Sequence, residues 1–396
     1  MGLNDTVSAE RIHIGFYGMR NAGKSSLANA ICAQQISLVS DVKGTTTDPV
    51  KKAMELLPLG PVVILDTPGL DDEGDLGELR VKRAREMLAK TNIALLVVDA
   101  TLGKTELDLS FEEELKSRKI PYLTIYNKSE LLENKEALGE NELYASAKTG
   151  DGIEKIKEKL GEFAKAFAPK KLLISDLIKE KDIIILVTPI DESAPKGRLI
   201  LPQQMVLRDV LDSHAIPIVC QVEELSFVLS SLNTTPRMVI TDSQAFGKVS
   251  KIVPKEIPLT SFSILMARYK GDLPALAHGF SALKKLRDGD RVLICEGCTH
   301  HRQCNDIGTV KMPAWIEGFT NAKPEFSFTS GGDFPEDLTK YKVIVHCGGC
   351  MLNEAEMQNR IRSAEKANIP IVNYGIAIAG MHGILERSVS LFPDIL

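Results

Sequence analysis

Residues Gly18-Met-Arg-Asn-Ala-Gly23-Lys24-Ser25 combine two glycines, a lysine and a hydroxyl at the spacing of a phosphate-binding loop. The β-type run Ile12 to Tyr17 predicts a strand before it, and Leu27, Ala30 and Ile31 predict a helix after it. Backbone amides of the loop and the helix N-terminus would then face the phosphates. Lys24 would reach the β and γ phosphates, Ser25 would bind Mg²⁺, and Ser26 follows on the same first turn. Far down the chain, His346-Cys347-Gly-Gly-Cys350 and Cys295-Glu-Gly-Cys298-Thr-His300-His301 supply thiolate and imidazole donors suited to a metal. One chain thus pairs nucleotide-triphosphate chemistry with metal chemistry.

Further strings extend the nucleotide half. Asp66-Thr67-Pro68-Gly69 follows Val62 to Leu65, which places Asp66 to act on Mg²⁺ through a water bound to the ion and lets the Gly69 amide sense the γ phosphate. Asn127-Lys128-Ser129-Glu130 ends the buried run Tyr122 to Tyr126 and resembles the guanine-reading motif of GTPases. There an acidic side chain accepts from guanine N1 and N2. Glu130 stands where Asp is usual, which keeps the charge and adds a methylene. Ser146-Ala147-Lys148 resembles the last GTPase motif, and Gly44-Thr-Thr46-Thr-Asp48 resembles the switch I of TrmE and Era-like GTPases, with Thr46 at the Mg²⁺-binding threonine. Asn21 matches the asparagine that helps place a potassium ion in cation-activated members, where the ion does the work of an arginine finger. Leu70 follows Gly69 where Ras-like enzymes carry a water-orienting Gln. The resemblance implies GTP hydrolysis that is slow and monovalent-cation dependent, with Lys24, Asn21 and Thr46 as the catalytic set.

These motifs need strands and helices to hold them. At 396 residues the chain exceeds one ordinary core, so an α/β protein of three domains is expected: a GTPase domain over 1–170, a small α/β domain over 171–262 and a metal-binding α/β domain over 263–396. Between the motifs, Ile183 to Thr188, Gln203 to Ser213, Ile216 to Val222 and Met238 to Thr241 read as strand, helix, strand, strand of a mainly parallel sheet. That segment shows no catalytic set, and an edge strand there suits oligomerisation. With 44% hydrophobic residues, 26% charged and a net charge of −5, the chain lacks the basic excess of a nucleic-acid binder. Its apolar runs are too short to span a bilayer, and the N-terminus lacks a secretory signal, so a cytoplasmic location is expected.

Of seven cysteines, Cys32 and Cys220 stand alone among apolar neighbours, while Cys295, Cys298, Cys304, Cys347 and Cys350 gather late in the chain. Arg291 to Ile294 and Val343 to Val345 predict strands that end at the two metal strings, and Pro370 to Asn373 predicts a third strand. Ligands of open α/β sheets collect at such C-terminal ends. Two Cys-x-x-Cys pairs permit a tetrahedral zinc, although 48 residues intervene between Cys298 and Cys347, more than in ordinary zinc ribbons.

Cys298-Thr-His300, 45 further residues and then His346-Cys347-Gly-Gly-Cys350 resemble the signature of the HydF-type maturation GTPases of iron-only hydrogenases, and the domain order matches over the whole chain. The resemblance implies a 4Fe-4S cluster on Cys298, Cys347 and Cys350 with one exchangeable iron position. His300 and His346 would act either as weak ligands or donors near that position, or as orienters of the cysteine loops. Asp306 or Cys304 would be a further labile ligand, and Cys295 a structural thiol. It also implies a homodimer or larger assembly that receives a di-iron precursor and delivers it to apo-hydrogenase, with two radical-SAM maturases as partners and neither nucleic acid nor membrane involved. The competing reading is an Era-like GTPase with a structural zinc acting on RNA or ribosome assembly.

Overall fold

The computed structural model describes residues 8–32, 50–70, 83–166, 172–190, 199–297, 306–392 and 395. The switch string with Thr46, and Cys298, His300 and Cys304, lie outside the described residues. The chain divides into two compact units, Met1–Lys170 and Lys171–Leu396.

The first unit is built on strands β1 (Ile12–Tyr17), β2 (Val50–Leu56), β3 (Gly60–Asp66), β4 (Ile93–Asp99), β5 (Tyr122–Asn127) and β6 (Glu142–Tyr144). They lie in the order β2-β3-β1-β4-β5-β6, parallel except for the β2–β3 hairpin. A parallel sheet is covered on both faces, which explains why β4 reads Ile-Ala-Leu-Leu-Val-Val rather than alternating. Leu95 and Val97 join Phe16, Ile64 and Ile125 on one face, under helices Lys24–Cys32 and Ile153–Ala166. Ala94, Leu96 and Val98 meet Tyr17, Phe111 and Leu115 on the other, under helix Glu106–Ser117. Each fully buried Leu, Ile or Phe contributes about 1.5–3 kcal/mol. Between β3 and β4 the central strand β1 marks the point where strand order reverses, and its C-terminal end carries the phosphate loop.

The second unit holds two parallel four-stranded sheets. β7 (Ile183–Val187), β8 (Ile216–Cys220), β9 (Met238–Thr241) and β10 (Leu259–Ser261) form the order β10-β9-β7-β8. β11 (Arg291–Glu296), β12 (Glu325–Ser330), β13 (Val343–His346) and β14 (Ile371–Asn373) form the order β12-β11-β13-β14. One continuous core runs through both sheets. Helix Phe262–Lys270 lies within it, with Phe262, Ile264, Leu265, Met266 and Ala267 all buried. Its five apolar residues in the first six positions are covered on more than one side, while Arg268 reaches out to pair with Asp176. In the second of these sheets strand order reverses between β11 and β13, so the segments leaving those two strands flank a crevice.

Candidate functional site

In the first unit, backbone conformation shapes the phosphate loop. Gly18 has φ +137° and Gly23 φ +90°, and a Cβ at either would collide with the Val97 carbonyl or the Asn127 amide. Asn21 takes the left-handed region at φ +62°, which Asn tolerates better than most residues, and its side chain is exposed. The buried Lys24 ammonium donates to the carbonyls of Gly18 and Met19, both at 2.9 Å, and so curls over the loop it would share with phosphates. The Ser25 hydroxyl donates to Asp66 Oδ2 at 2.9 Å. Asp66 Oδ1 is buried with no hydrogen-bond partner among the described residues, and burial pushes its carboxyl up. A hydrated Mg²⁺ beside Ser25 would supply that oxygen with a donor, so these residues fit the ion. The Leu70 amide, one residue past Gly69, reaches the Gly18 carbonyl at 3.3 Å.

The Asn127-Lys128-Ser129-Glu130 string is tied to the same loop. Asn127, only 2% exposed, donates through Nδ2 to the Ala22 carbonyl and accepts at Oδ1 from the Ala147 amide, each at 3.0 Å. It therefore fastens the phosphate loop, the end of β5 and the Ser146-Ala147-Lys148 turn together. Lys128, at φ +64°, pairs with Asp99 at 2.6 Å. The Ser146 hydroxyl bonds the exposed Glu130 carboxylate and holds it below the usual carboxylate range. A fixed anionic acceptor at this place can take both N–H groups of guanine.

In the second unit, adjacent strand ends converge. Cys347 follows β13 directly, and its amide donates to the Cys295 carbonyl at 2.9 Å. Its sulfur accepts from the amides of Gly297 at 3.0 Å and Gly349 at 3.4 Å. Burial pushes this thiol up to about 12 and raises Cys350 as well. Two amides aimed at this half-buried sulfur suit a metal-bound thiolate, in which a cation takes the place of the proton. Behind the Cys347-Gly-Gly-Cys350 turn, the Lys270 ammonium, 2% exposed, donates to the carbonyls of Cys350 at 3.1 Å and Leu352 at 3.0 Å. Its charge also favours ionised Cys350. The residues present thus fit an anionic thiolate-bound centre. No group of three His, Cys, Asp or Glu among the described residues could hold a metal unaided, with Cys298 outside that set.

His346 is fully buried, and both its ring nitrogens are engaged. Nδ1 lies 2.8 Å from the Cys347 carbonyl and must donate to it, which leaves Nε2 to accept from Arg360 Nη1 at 3.0 Å. In this arrangement His346 braces the cysteine turn and both its ring nitrogens are taken up by protein partners. Arg360 is itself 1% exposed and also donates to Glu356 and the Gly331 carbonyl. Asp306 Oδ2 accepts from the Thr309 amide and hydroxyl, both at 2.9 Å, and so caps the π-type turn Ile307–Lys311. Cys295 is buried, its thiol raised to about 11 by that burial. Sequence reasoning missed Lys270 and Arg360, which belong to no motif and are brought in by helix packing.

Comparison with known proteins covers both units. Residues 13–128 match the family model described as 50S ribosome-binding GTPase, and curated relatives agree over that region. A tRNA modification GTPase MnmE from Nitrosomonas europaea is 35% identical over 156 residues, 38% of this chain and 34% of the relative. A GTPase Der from Kosmotoga olearia is 34% identical over 170 residues, 38% of each chain. The chain thus spans little more than a third of the length of these relatives. Among solved structures, a probable GTP-binding protein engB is 22% identical, with a TM-score of 0.32, covering 39% of this chain and 99% of that one. Beyond the GTPase region, residues 173–271 match the hydrogen maturase F dimerization domain, and 274–391 match its tetramerization domain. With these two domains in series behind a GTPase domain, the chain belongs to the hydrogen maturase F family.

Proposed function

We propose that this protein is a GTP-hydrolysing iron-sulfur scaffold. It carries a 4Fe-4S cluster on Cys298, Cys347 and Cys350, receives a di-iron precursor from radical-SAM maturases and delivers it to apo iron-only hydrogenase. Membership of the maturase family supports the role. The observation that carries the cluster reading is the Cys347 sulfur, which accepts two backbone amides at the crevice between β11 and β13 while buried Lys270 backs the adjoining Cys350. Thiolates bound to iron use amide donors of this kind to hold charge in a dry site. An iron without a cysteine would keep one exchangeable position, with Asp306 near enough in the chain to serve as a labile ligand.

In the GTPase unit Lys24 would neutralise the phosphates, Ser25 and Thr46 would bind Mg²⁺ with Asp66 behind them, and the Gly69 amide would read the γ phosphate. Glu130 would read guanine, with Asn127, Ser146 and Ala147 fixing its surroundings. Asn21, exposed on the loop, would help place K⁺ where charge builds in the transition state. The working form is a homo-oligomer. Exposed Ile216 and Val219 on the sheet-edge strand β8, and Phe227 at 74% exposure, give the dimerization region apolar surface suited to a second copy.

Replacing Cys298, Cys347 or Cys350 by Ala in anaerobically purified protein tests the cluster reading. Each variant should lose iron and sulfide while hydrolysing GTP at the parental rate; a variant with full cluster content removes that cysteine from the ligand set.

A further inference from the structure

Two bonds within the chain fix the turn that follows β3. The pairing of β1 with β3 ends at Phe16 and Asp66. One residue on, the Thr67 hydroxyl donates to the Phe16 carbonyl at 2.6 Å, and Thr67 is only 4% exposed. A side chain thus carries the contact between the strands past the end of their backbone ladder. Three residues further, the Leu70 amide donates to the Gly18 carbonyl at 3.3 Å. That carbonyl also accepts from the Lys24 ammonium at 2.9 Å, so the turn and the phosphate loop share an anchor.

Between the two anchors stand Pro68 and Gly69. Proline has no N–H and a φ locked at about −65°, which stiffens the span. Gly69 is buried, and its amide makes no backbone hydrogen bond among the described residues. The turn therefore presents this amide while Thr67, two residues before it, and Leu70, one after it, are tied to β1 and to the phosphate loop. Only a hydroxyl can do this work at position 67. Valine has the same shape, yet it would leave the buried Phe16 carbonyl without this donor.

We infer that Thr67 is a positioning residue for GTP: its bond to Phe16 holds the turn in the arrangement from which the Gly69 amide meets the γ phosphate, and so favours the triphosphate over GDP. The inference rests on the reading of Gly69 as the γ-phosphate sensor. GDP has no group to meet that amide, so an unfastened turn weakens the triphosphate alone. When the competent arrangement is held by a smaller fraction of molecules, apparent affinity falls by that fraction. Thr67 itself touches no nucleotide in this scheme.

Equilibrium binding of GDP and of a non-hydrolysable GTP analogue to the full chain tests the role, together with steady-state GTP hydrolysis. Thr67→Val should bind the analogue about tenfold or more weakly, keep GDP affinity within about twofold of the parent and lose at least about tenfold in kcat/KM. Thr67→Ser keeps the hydroxyl and should restore the parental preference. Equal losses for both nucleotides would reduce Thr67 to a general structural part and overturn the inference. Parental affinities in Thr67→Val overturn it too, as does a serine variant no better than the valine one. Where Thr67→Val folds poorly, amide hydrogen exchange on the parent chain decides. The Leu70 amide should already be protected before nucleotide is added, and protection that arises only with the GTP analogue overturns the inference. In the same experiment, protection of the Gly69 amide by the analogue but not by GDP reports separately on the sensor reading, and its absence defeats both.

Discussion

Arg360 donates to His346 Nε2 at 3.0 Å while the opposite ring nitrogen of His346 donates to the carbonyl of Cys347. A chain of three buried groups, Glu356, Arg360 and His346, therefore ends on the cysteine turn. Burial and the neighbouring guanidinium hold the imidazole down to about 3, so it stays neutral and keeps this tautomer. Arg360→Met leaves buried Glu356 without its cation and should destabilise the fold by about 3–5 kcal/mol in denaturant unfolding. His346→Gln, which can still donate to the Cys347 carbonyl, should retain the cluster with an unchanged spectrum. An altered iron signal in His346→Gln would instead make His346 a ligand.

Lys270 places a buried positive charge behind Cys350. A nearby cation stabilises the more negative, reduced cluster, so Lys270→Met should lower the reduction potential by something on the order of tens of millivolts. It also strips the carbonyls of Cys350 and Leu352 of their donor, with an expected loss of about 1–3 kcal/mol. Redox titration of reconstituted protein separates these effects. A potential that stays put or rises contradicts the electrostatic role.

Guanine reading is assigned to Glu130, a carboxylate steadied by the Ser146 hydroxyl. Glu130→Gln keeps the shape but replaces one acceptor by a donor. GTP should then bind at least about tenfold more weakly, while xanthosine triphosphate, whose base has a carbonyl where guanine has its amino group, should gain. Nucleotide competition binding checks the exchange of preference. Unaltered GTP affinity would mean that another group reads the base.

His13 gives the first unit an acid-sensitive element. It is buried on β1, and burial together with Lys51 and Lys90 lowers it to about 4. The folded state thus prefers the neutral ring, and the unfolded chain binds the proton more readily. Its stabilising contribution is present above the unfolded value near 6.5 and is lost as pH falls from there towards 4, by up to about 3 kcal/mol. His13→Gln should flatten that part of the stability profile relative to the parent in urea unfolding at stepped pH. Parallel profiles for the two proteins would contradict the assignment.

The first unit was legible in the sequence because its function depends on contiguous loops. Gly18 to Ser25, Asp66 and Asn127 each follow a strand whose apolar run is plain, and a parallel sheet brings those strand ends together. What the motifs did not reveal is that Asn127 spends its amide on Ala22 and Ala147. In the second unit, the strand ends at Glu296, His346 and Asn373 were readable, and parallel pairing then sets the thiols at one edge. The residues that surround Cys347 were not. Lys270 and Arg360 are separated from the cysteines by up to 80 residues along the chain and approach only through packing, which has no short-range pattern. Lys270 and Arg360 each looked like an ordinary charged helix residue, yet both are almost wholly buried.

The central claim is that one chain holds a 4Fe-4S cluster and a GTPase site. Anaerobic purification followed by iron, sulfide and zinc analysis, with the visible and paramagnetic resonance spectra, tests it most directly. The account predicts a brown protein with about four iron and about four sulfide per chain, a reducible signal and GTP hydrolysis that is faster in potassium than in sodium. A colourless protein carrying one zinc and no sulfide would contradict it.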